Sequence, residues 1–204
     1  MLRRLPALAF GLALIALAGT TAVEAVRALP AAPVLDALRA GETVPPDERQ
    51  RAALTLAGLR DARTLAARAV LLPPGEAERA AAAALMRRPL DAHTWLRLAH
   101  LRQARGATEA EVAAAVVASM RAAPTDRPLL FARLPAAAHA WAGVRAADRA
   151  TVLDQVALAW DVDAARVRAV LRSPAGAALL RRMIARTRGR EGLPSTAPPP
   201  GSAG

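Results

Sequence analysis

The fold class is decided by residues 91–124, DAHTWLRLAHLRQARGATEAEVAAAVVASMRAAP. In the first half of this stretch, Trp95, Leu98 and Ala99 have the i, i+3, i+4 spacing of one helix face. In the second half, apolar residues recur every four positions from Val112, which gives a second helix with one apolar face. Gly106 falls between the two halves, so the stretch predicts a pair of amphipathic helices joined by a short turn.

Polar residues at the predicted helix starts support these boundaries. Asp91 has the side chain of an N-cap, and Thr108 with Glu111 has the T-x-x-E form of a capping box. Ser173 precedes a proline, and Asp161 follows Trp160 where a further helix is expected to open. We therefore interpret these side chains as helix caps and not as catalytic groups.

The helix pair is one copy of a repeat with a period of about 35 residues. Residues 84–91, ALMRRPLD, match residues 119–126, SMRAAPTD, and each octad contains a helix end, a proline and an aspartate. Helix pairs with this period resemble tetratricopeptide repeats. The positions that match the repeat signature are Trp95, Leu98, Ala99 in place of glycine, Val116 and Pro124. The departures are Arg102 in place of the signature tyrosine, Val112 and Ser119 in place of alanine, and one extra residue in the turn.

The resemblance implies a short α-solenoid in which about three helix pairs stack, because a single pair cannot bury its apolar face. Residues 55–90 would form a degenerate repeat and residues 127–172 further paired helices. A groove between the pairs would bind a segment of a protein partner. The wider layout resembles small membrane-anchored repeat proteins of bacterial envelope and exopolysaccharide biosynthesis, which implies an adaptor or scaffold assisting polysaccharide biosynthesis or export.

The N-terminal segment predicts the cellular location. Residues 5–23, LPALAFGLALIALAGTTAV, contain no charge and follow two arginines. Their length approaches that of a bilayer-spanning helix, and the alternative is a signal peptide cleaved after Ala18. Both alternatives send the rest of the chain across the membrane, so we expect a single-pass protein of the bacterial inner membrane with its soluble domain in the periplasm.

Composition and punctuation give the overall organisation. The 204 residues are 54% hydrophobic but only 2% aromatic and contain neither tyrosine nor cysteine, which favours an all-α fold and excludes disulfides and thiolate sites. Prolines and glycines divide the chain into four predicted parts. These are an N-terminal anchor or signal peptide (1–29), a linker (30–46), a helical repeat domain (47–188) and a disordered tail (189–204).

The positive charge is concentrated near the C-terminus. The net charge is +11, yet residues 174–204 alone hold five arginines against one acidic residue, and the centre of the chain is nearly neutral. We therefore expect no nucleic-acid partner. The alternative to a repeat adaptor is a module that binds an anionic lipid or an acidic polysaccharide through its last helix. The contact residues expected to project from this helix are Arg181, Arg182, Arg186 and Arg188.

The remaining chemical candidates do not indicate an enzyme. His93 and His100 lie about 10 Å apart along one helix and cannot chelate a single ion. The D-x-D sequence at Asp161 and Asp163 resembles a metal-binding motif of some sugar-nucleotide enzymes but fits a helix start better. The chain contains neither a phosphate-binding glycine loop nor a nucleophile elbow, so we expect no catalytic residue, cofactor or metal. Three tryptophans, Trp95, Trp141 and Trp160, are expected to be packing anchors, with sugar stacking as the alternative.

Overall fold

The computed structural model describes residues 31–39, 42–57 and 62–191. Within these ranges the chain forms helices and turns and contains no strand, which confirms the predicted all-α class. The chain divides between Pro89 and Leu90 into two compact units.

Four helices make up the described part of the first unit. They are α1 (Ala32–Arg39), α2 (Pro46–Thr55), α3 (Ala62–Leu71) and α4 (Pro74–Arg87). Proline occupies the first helical position of both α2 and α4, where its missing N–H costs no hydrogen bond. A small core forms around Leu56 and Leu71, and Leu35 and Leu38 of α1 pack against it. Helices α3 and α4 pack against each other as a pair.

The second unit contains the helix pair that residues 91–124 predict. Its helices are α5 (Ala92–Ala104), α6 (Glu109–Ala122), α7 (Arg127–Ala132), α8 (Leu134–His139), α9 (Arg149–Val162), α10 (Ala164–Val170) and α11 (Pro174–Glu191). Two 3-10 turns, Trp141–Gly143 and Ala146–Asp148, connect α8 to α9. Helices α5 and α6 pack against each other along their lengths, and α9 contacts α6, α7, α10 and α11.

Side-chain caps fix the helix starts in the second unit. Asp91 accepts a hydrogen bond from the Thr94 backbone N–H at 3.1 Å. Thr108 and Glu111 form the reciprocal capping box, and the hydrogen bond from the Thr108 hydroxyl is the first cause that lowers the pKa of Glu111. Gly106 has a φ of +74° in the turn between α5 and α6, a conformation that glycine adopts without strain.

The D-x-D sequence supplies one cap and not two. Asp163 caps α10 by accepting from the Arg166 backbone N–H at 2.9 Å. Asp161 lies inside the last turn of α9 and is exposed, so its predicted role as a cap is wrong.

The period of 35 residues is visible in the helix boundaries. Helices α4 and α6 end at Arg87 and Ala122, and the next helices are capped by Asp91 and Asp126. Asp126 accepts from the Leu129 backbone N–H at 3.2 Å, as Asp91 does from Thr94. The boundaries therefore follow the sequence repeat, whereas stacking of the pairs into a solenoid stays a prediction.

The signature positions differ in burial. Leu98, Ala99 and Val116 are each no more than 2% exposed. Trp95 is only partly buried, in contrast to its expected place in the core. Pro124 is exposed, and its carbonyl accepts a hydrogen bond from Gln155 Nε2 at 2.8 Å.

A buried arginine connects the helices of the second unit. Arg133 follows α7 and is 0% exposed. Its guanidinium donates to Ser119 Oγ at 3.0 Å, the Ser119 carbonyl at 2.7 Å, the Ala123 carbonyl at 2.9 Å and Gln155 Oε1 at 3.2 Å. Burial lowers the pKa of Arg133, and the nearby charge of Asp126 opposes that shift. Arginine is rarely fully buried in proteins, and here three carbonyl oxygens and one hydroxyl oxygen satisfy the donors of the buried guanidinium.

The predicted location in a membrane is wrong for the described part of the chain. No helix in 31–39, 42–57 or 62–191 is both long enough and apolar enough to cross a bilayer. The longest helix in these three ranges, α11, carries exposed arginines such as Arg181. The segment 5–23, on which the prediction of a single-pass periplasmic protein was based, lies outside the described residues. Most of the predicted tail also lies outside them, but α11 continues to Glu191, past the expected boundary at 188.

Candidate anion-binding surface

The apolar face of helix α11 packs against the other helices of the second unit. Leu179 is 0% exposed and Met183 is 5% exposed. Ser173 Oγ accepts from the Gly176 backbone N–H at 3.1 Å and so caps the helix. A Cβ added to Gly176 would lie 2.6 Å from the Leu171 carbonyl oxygen, so this position must be a glycine for the helix to approach so closely. The first turn of α11 is thereby fixed, and its arginines are carried on a rigid element.

Arg186 is part of that attachment and does not project freely as expected. Its guanidinium donates to the Ala150 carbonyl at 2.9 Å and forms an ion pair with Asp154 at 3.1 Å. Only 23% of the Arg186 side chain is exposed. This arginine therefore joins α11 to α9, and its charge is already compensated.

The other predicted arginines of α11 lie on its exposed side. Arg181, Arg182 and Arg188 are exposed, and none of them forms an ion pair or hydrogen bond with the part of the chain that the structure describes. An open, shallow cavity of about 330 Å³ lies on this helix. It is lined by Ala178, Arg181, Arg182 and Ala185. The exposed face of α11 thus combines uncompensated positive charge with a depression in the surface.

Trp141 extends this positive surface beyond α11. The guanidinium carbon of Arg182 lies 5.5 Å from the centroid of the Trp141 ring, and that of Arg149 lies 5.8 Å from it. Both distances are within the range of cation–π attraction. Neither arginine is paired with a carboxylate among the described residues. We call Trp141, Arg149 and Arg182 the Trp141 cluster.

Two contacts hold the segment that carries Trp141. A Cβ added to Gly143 would lie 2.2 Å from the backbone carbon of Glu109, so this glycine lets the 3-10 turn approach the first turn of α6. Asp148 is 4% exposed and forms ion pairs with Arg121 of α6 and with Arg145. These contacts place Trp141 and the start of α9 on α6, independently of α11.

A second group of arginines stacks on aromatic rings near α10. The guanidinium carbon of Arg166 lies 4.3 Å from the Phe131 ring centroid, and that of Arg168 lies 4.4 Å from the Trp160 centroid. Stacking satisfies the face of a guanidinium but leaves its N–H edge able to donate hydrogen bonds. The contacts also explain the partial burial of Trp160, which sequence periodicity interprets as a packing anchor.

The chemistry of the surface follows from the arginine side chain. A guanidinium is always charged near neutral pH and donates hydrogen bonds in a planar fork that fits carboxylate and phosphate oxygens. Arg149 and Arg182 approach the same ring, so their carbon atoms are at most about 11 Å apart and repel each other. An anion placed near them would reduce that repulsion. The surface is therefore suited to bind anionic groups.

The other chemical candidates are separated or used within the fold. His93 Nε2 lies 3.5 Å from a carboxylate oxygen of Asp126, His100 lies further along α5, and His139 ends α8. In the described ranges, no group of three or more His, Asp or Glu side chains is arranged to hold a metal ion.

Sequence reasoning identified Arg181 and Arg182 but missed Trp141 and Arg149 as parts of the same surface. The four residues come from a turn, α9 and α11, and no spacing along the chain brings them together.

Comparison with known proteins gives no match to a protein-family model, to a curated protein or to a solved structure.

Proposed function

We propose that this chain is a non-enzymatic binding module that recognises an acidic segment of a protein partner through the exposed arginine face of its second unit. The observation that carries the proposal is the set of exposed guanidinium groups without a carboxylate partner, those of Arg149, Arg181 and Arg182. Several other arginines of this unit are compensated within the fold: Asp148 pairs with two of them, Asp154 with Arg186, and carbonyl oxygens accept hydrogen bonds from Arg133.

An acidic protein segment fits this surface better than a sugar polymer does. Stacking of a sugar requires an open aromatic ring, but guanidinium groups already lie over Trp141 and Trp160. Carboxylates of aspartate and glutamate match the arginine fork directly. The alanine side chains that line the cavity on α11 are apolar, so they also favour contact with an apolar side chain of a peptide.

The test is binding of the full chain to a fluorescein-labelled 18-residue peptide rich in glutamate, measured by fluorescence anisotropy. We expect binding that weakens as NaCl rises from 50 to 500 mM, because exposed charge pairs are screened over a few ångströms at high salt. The double substitution Arg181→Gln and Arg182→Gln should weaken binding about tenfold, since each exposed pair contributes up to about 1 kcal/mol.

Arg127→Gln is the matched control. Arg127 is an exposed arginine at the start of α7, so this variant loses one positive charge at a site away from α11. It should bind the peptide nearly as well as the wild type. Equal weakening by the control and by Arg181→Gln alone, each of which removes one charge, would show that only the net charge attracts the peptide, and it would contradict a defined surface. Tight binding to dextran sulfate but not to the peptide would favour the acidic polysaccharide.

The repeat-like helix pairs offer the second way to bind a protein. A binding groove between the helix pairs is a prediction that rests on the resemblance to tetratricopeptide repeats. A partner that binds there would be insensitive to the α11 substitutions, so the same measurement separates the two modes.

A further inference from the structure

The second half of α11 is attached to the fold mainly by polar contacts. Within residues 174–188 the buried residues are Gly176, Leu179 and Met183, and none of the residues from 184 to 188 is buried. Beyond Met183 the helix is joined to α9 by the hydrogen bond and the ion pair of Arg186. Segments with few buried contacts open at a lower free energy than the rest of a fold. We therefore expect this half of α11 to open from α9 before the first turn does.

Two positive charges meet at the same joint between α11 and α9. Arg149 directly precedes Ala150, whose carbonyl accepts from Arg186. The guanidinium groups of Arg149, from α9, and Arg182, from α11, both lie over the Trp141 ring. Their separation of at most about 11 Å is comparable to the screening length of about 8 Å at physiological ionic strength, so their repulsion is weakened but not removed. The cation–π contact of Arg182 favours the attached helix, and this repulsion opposes it.

A carboxylate beside the Trp141 ring would change the balance in favour of attachment. The ring centroid lies 5.5 Å from the guanidinium carbon of Arg182 and 5.8 Å from that of Arg149, so a negative charge at the ring attracts both groups. When α11 opens, Arg182 leaves the ring and the carboxylate keeps only Arg149. The ligand thus binds the attached form more tightly, and it shifts the equilibrium toward that form.

We propose that the acidic segment fastens α11 to α9 by placing a carboxylate beside Trp141, between the charges of Arg149 and Arg182. The Trp141 cluster is then a joint whose strength depends on the ligand. This inference rests on the proposed function, since it assigns the acidic ligand a position and an effect on the attachment of α11.

Hydrogen–deuterium exchange of the full chain, followed by mass spectrometry, measures the opening of α11. The probe is the same glutamate-rich peptide, at about ten times the dissociation constant that anisotropy gives for each variant. At that concentration, a ligand that binds only the attached form slows exchange about elevenfold. Arg149 still attracts the peptide when α11 is open, so we expect the amides of residues 180–188 to exchange about threefold more slowly with peptide.

Arg149→Gln changes the joint without changing α11 itself. In the absence of peptide, α11 should exchange about twofold more slowly in this variant than in the wild type, because the repulsion is removed. This difference should disappear at 500 mM NaCl. Saturating peptide should then slow the exchange of α11 less than it does in the wild type.

Arg127→Gln is again the matched control. It removes the same charge from an exposed site at the start of α7. The exchange of α11 and its response to the peptide should both equal those of the wild type.

The outcomes separate this inference from the proposed function. Peptide that binds without slowing the exchange of α11, or that slows it equally in the wild type and in Arg149→Gln, would overturn the fastening of α11 and retain the acidic ligand. No binding of the peptide would overturn both. Equal or faster exchange of α11 in peptide-free Arg149→Gln would overturn the repulsion on which the inference depends.

Discussion

Replacement of Arg133 by methionine tests whether a buried guanidinium holds the second unit together. The substitution retains a long flexible side chain but removes four donated hydrogen bonds of 2.7 to 3.2 Å. Three of the four acceptor groups keep another hydrogen-bond partner, whereas Gln155 Oε1 loses the partner that the structure shows for it. The Ser119 and Ala123 carbonyls still accept from backbone N–H groups, and Gln155 still donates to Pro124.

The expected loss of stability follows from these contacts. Each lost hydrogen bond to a buried acceptor costs about 1 kcal/mol, which gives about 4 kcal/mol for the four. Burial of the guanidinium charge costs free energy, and methionine avoids about 1 kcal/mol of that cost. We therefore expect Arg133→Met to lower the free energy of unfolding by about 3 kcal/mol. At a urea dependence of about 2 kcal/mol/M, the midpoint should fall by about 1.5 M.

Urea unfolding followed by tryptophan fluorescence measures this effect in the full chain. All three tryptophans lie in the second unit, so the signal reports on that unit alone. Arg127→Met is the control, because Arg127 is exposed and its replacement should change stability by less than about 0.5 kcal/mol. A urea midpoint for Arg133→Met equal to that of the control would show that the buried Arg133 guanidinium does not stabilise the second unit.

Other substitutions give smaller or more local effects. Gly143→Ala should lower stability by about 1–3 kcal/mol, because the added Cβ meets backbone atoms at 2.2 Å, and thermal melting measures the loss. Thr108→Ala should cost about 1 kcal/mol through loss of the cap, measured in the same way. Trp95→Ala should cost about 2 kcal/mol, less than for a fully buried tryptophan, and a loss above about 4 kcal/mol in urea unfolding would contradict its partial exposure. Partial burial and, to a smaller extent, the positive charge of Arg97 lower the pKa of His100 below its usual value of 6.5. The unfolded chain then binds the proton first, so stability should fall as pH drops below 6.5, and His100→Gln should remove that part of the pH dependence in urea titrations.

Local sequence signals predicted the helices and many of their boundaries. The caps at Asp91, Thr108 and Ser173 act through hydrogen bonds to backbone groups within three residues, so short-range chemistry is sufficient to find them. The all-α class followed from composition and periodicity for the same reason.

Tertiary contacts account for what the sequence could not predict. Arginine side chains are usually exposed, so the sequence alone would place Arg133 and Arg186 on the surface. The packed fold shows that carbonyl oxygens accept hydrogen bonds from both, and that Arg186 also pairs with Asp154. Trp141 gathers Arg149 and Arg182 from two helices far apart in sequence. The candidate surface could therefore be predicted as a basic helix but not as a cluster with defined geometry.

Photo-cross-linking of the glutamate-rich peptide to the full chain shows where on the protein the acidic segment binds. A peptide with a diazirine residue beside its glutamates is irradiated with the protein, and mass spectrometry locates the attachment sites. We predict that the cross-links fall in α11, within residues 174–188, and disappear at 500 mM NaCl. Cross-links concentrated in α5 and α6 and retained at high salt would contradict the arginine surface and favour a groove of the repeat-like helices.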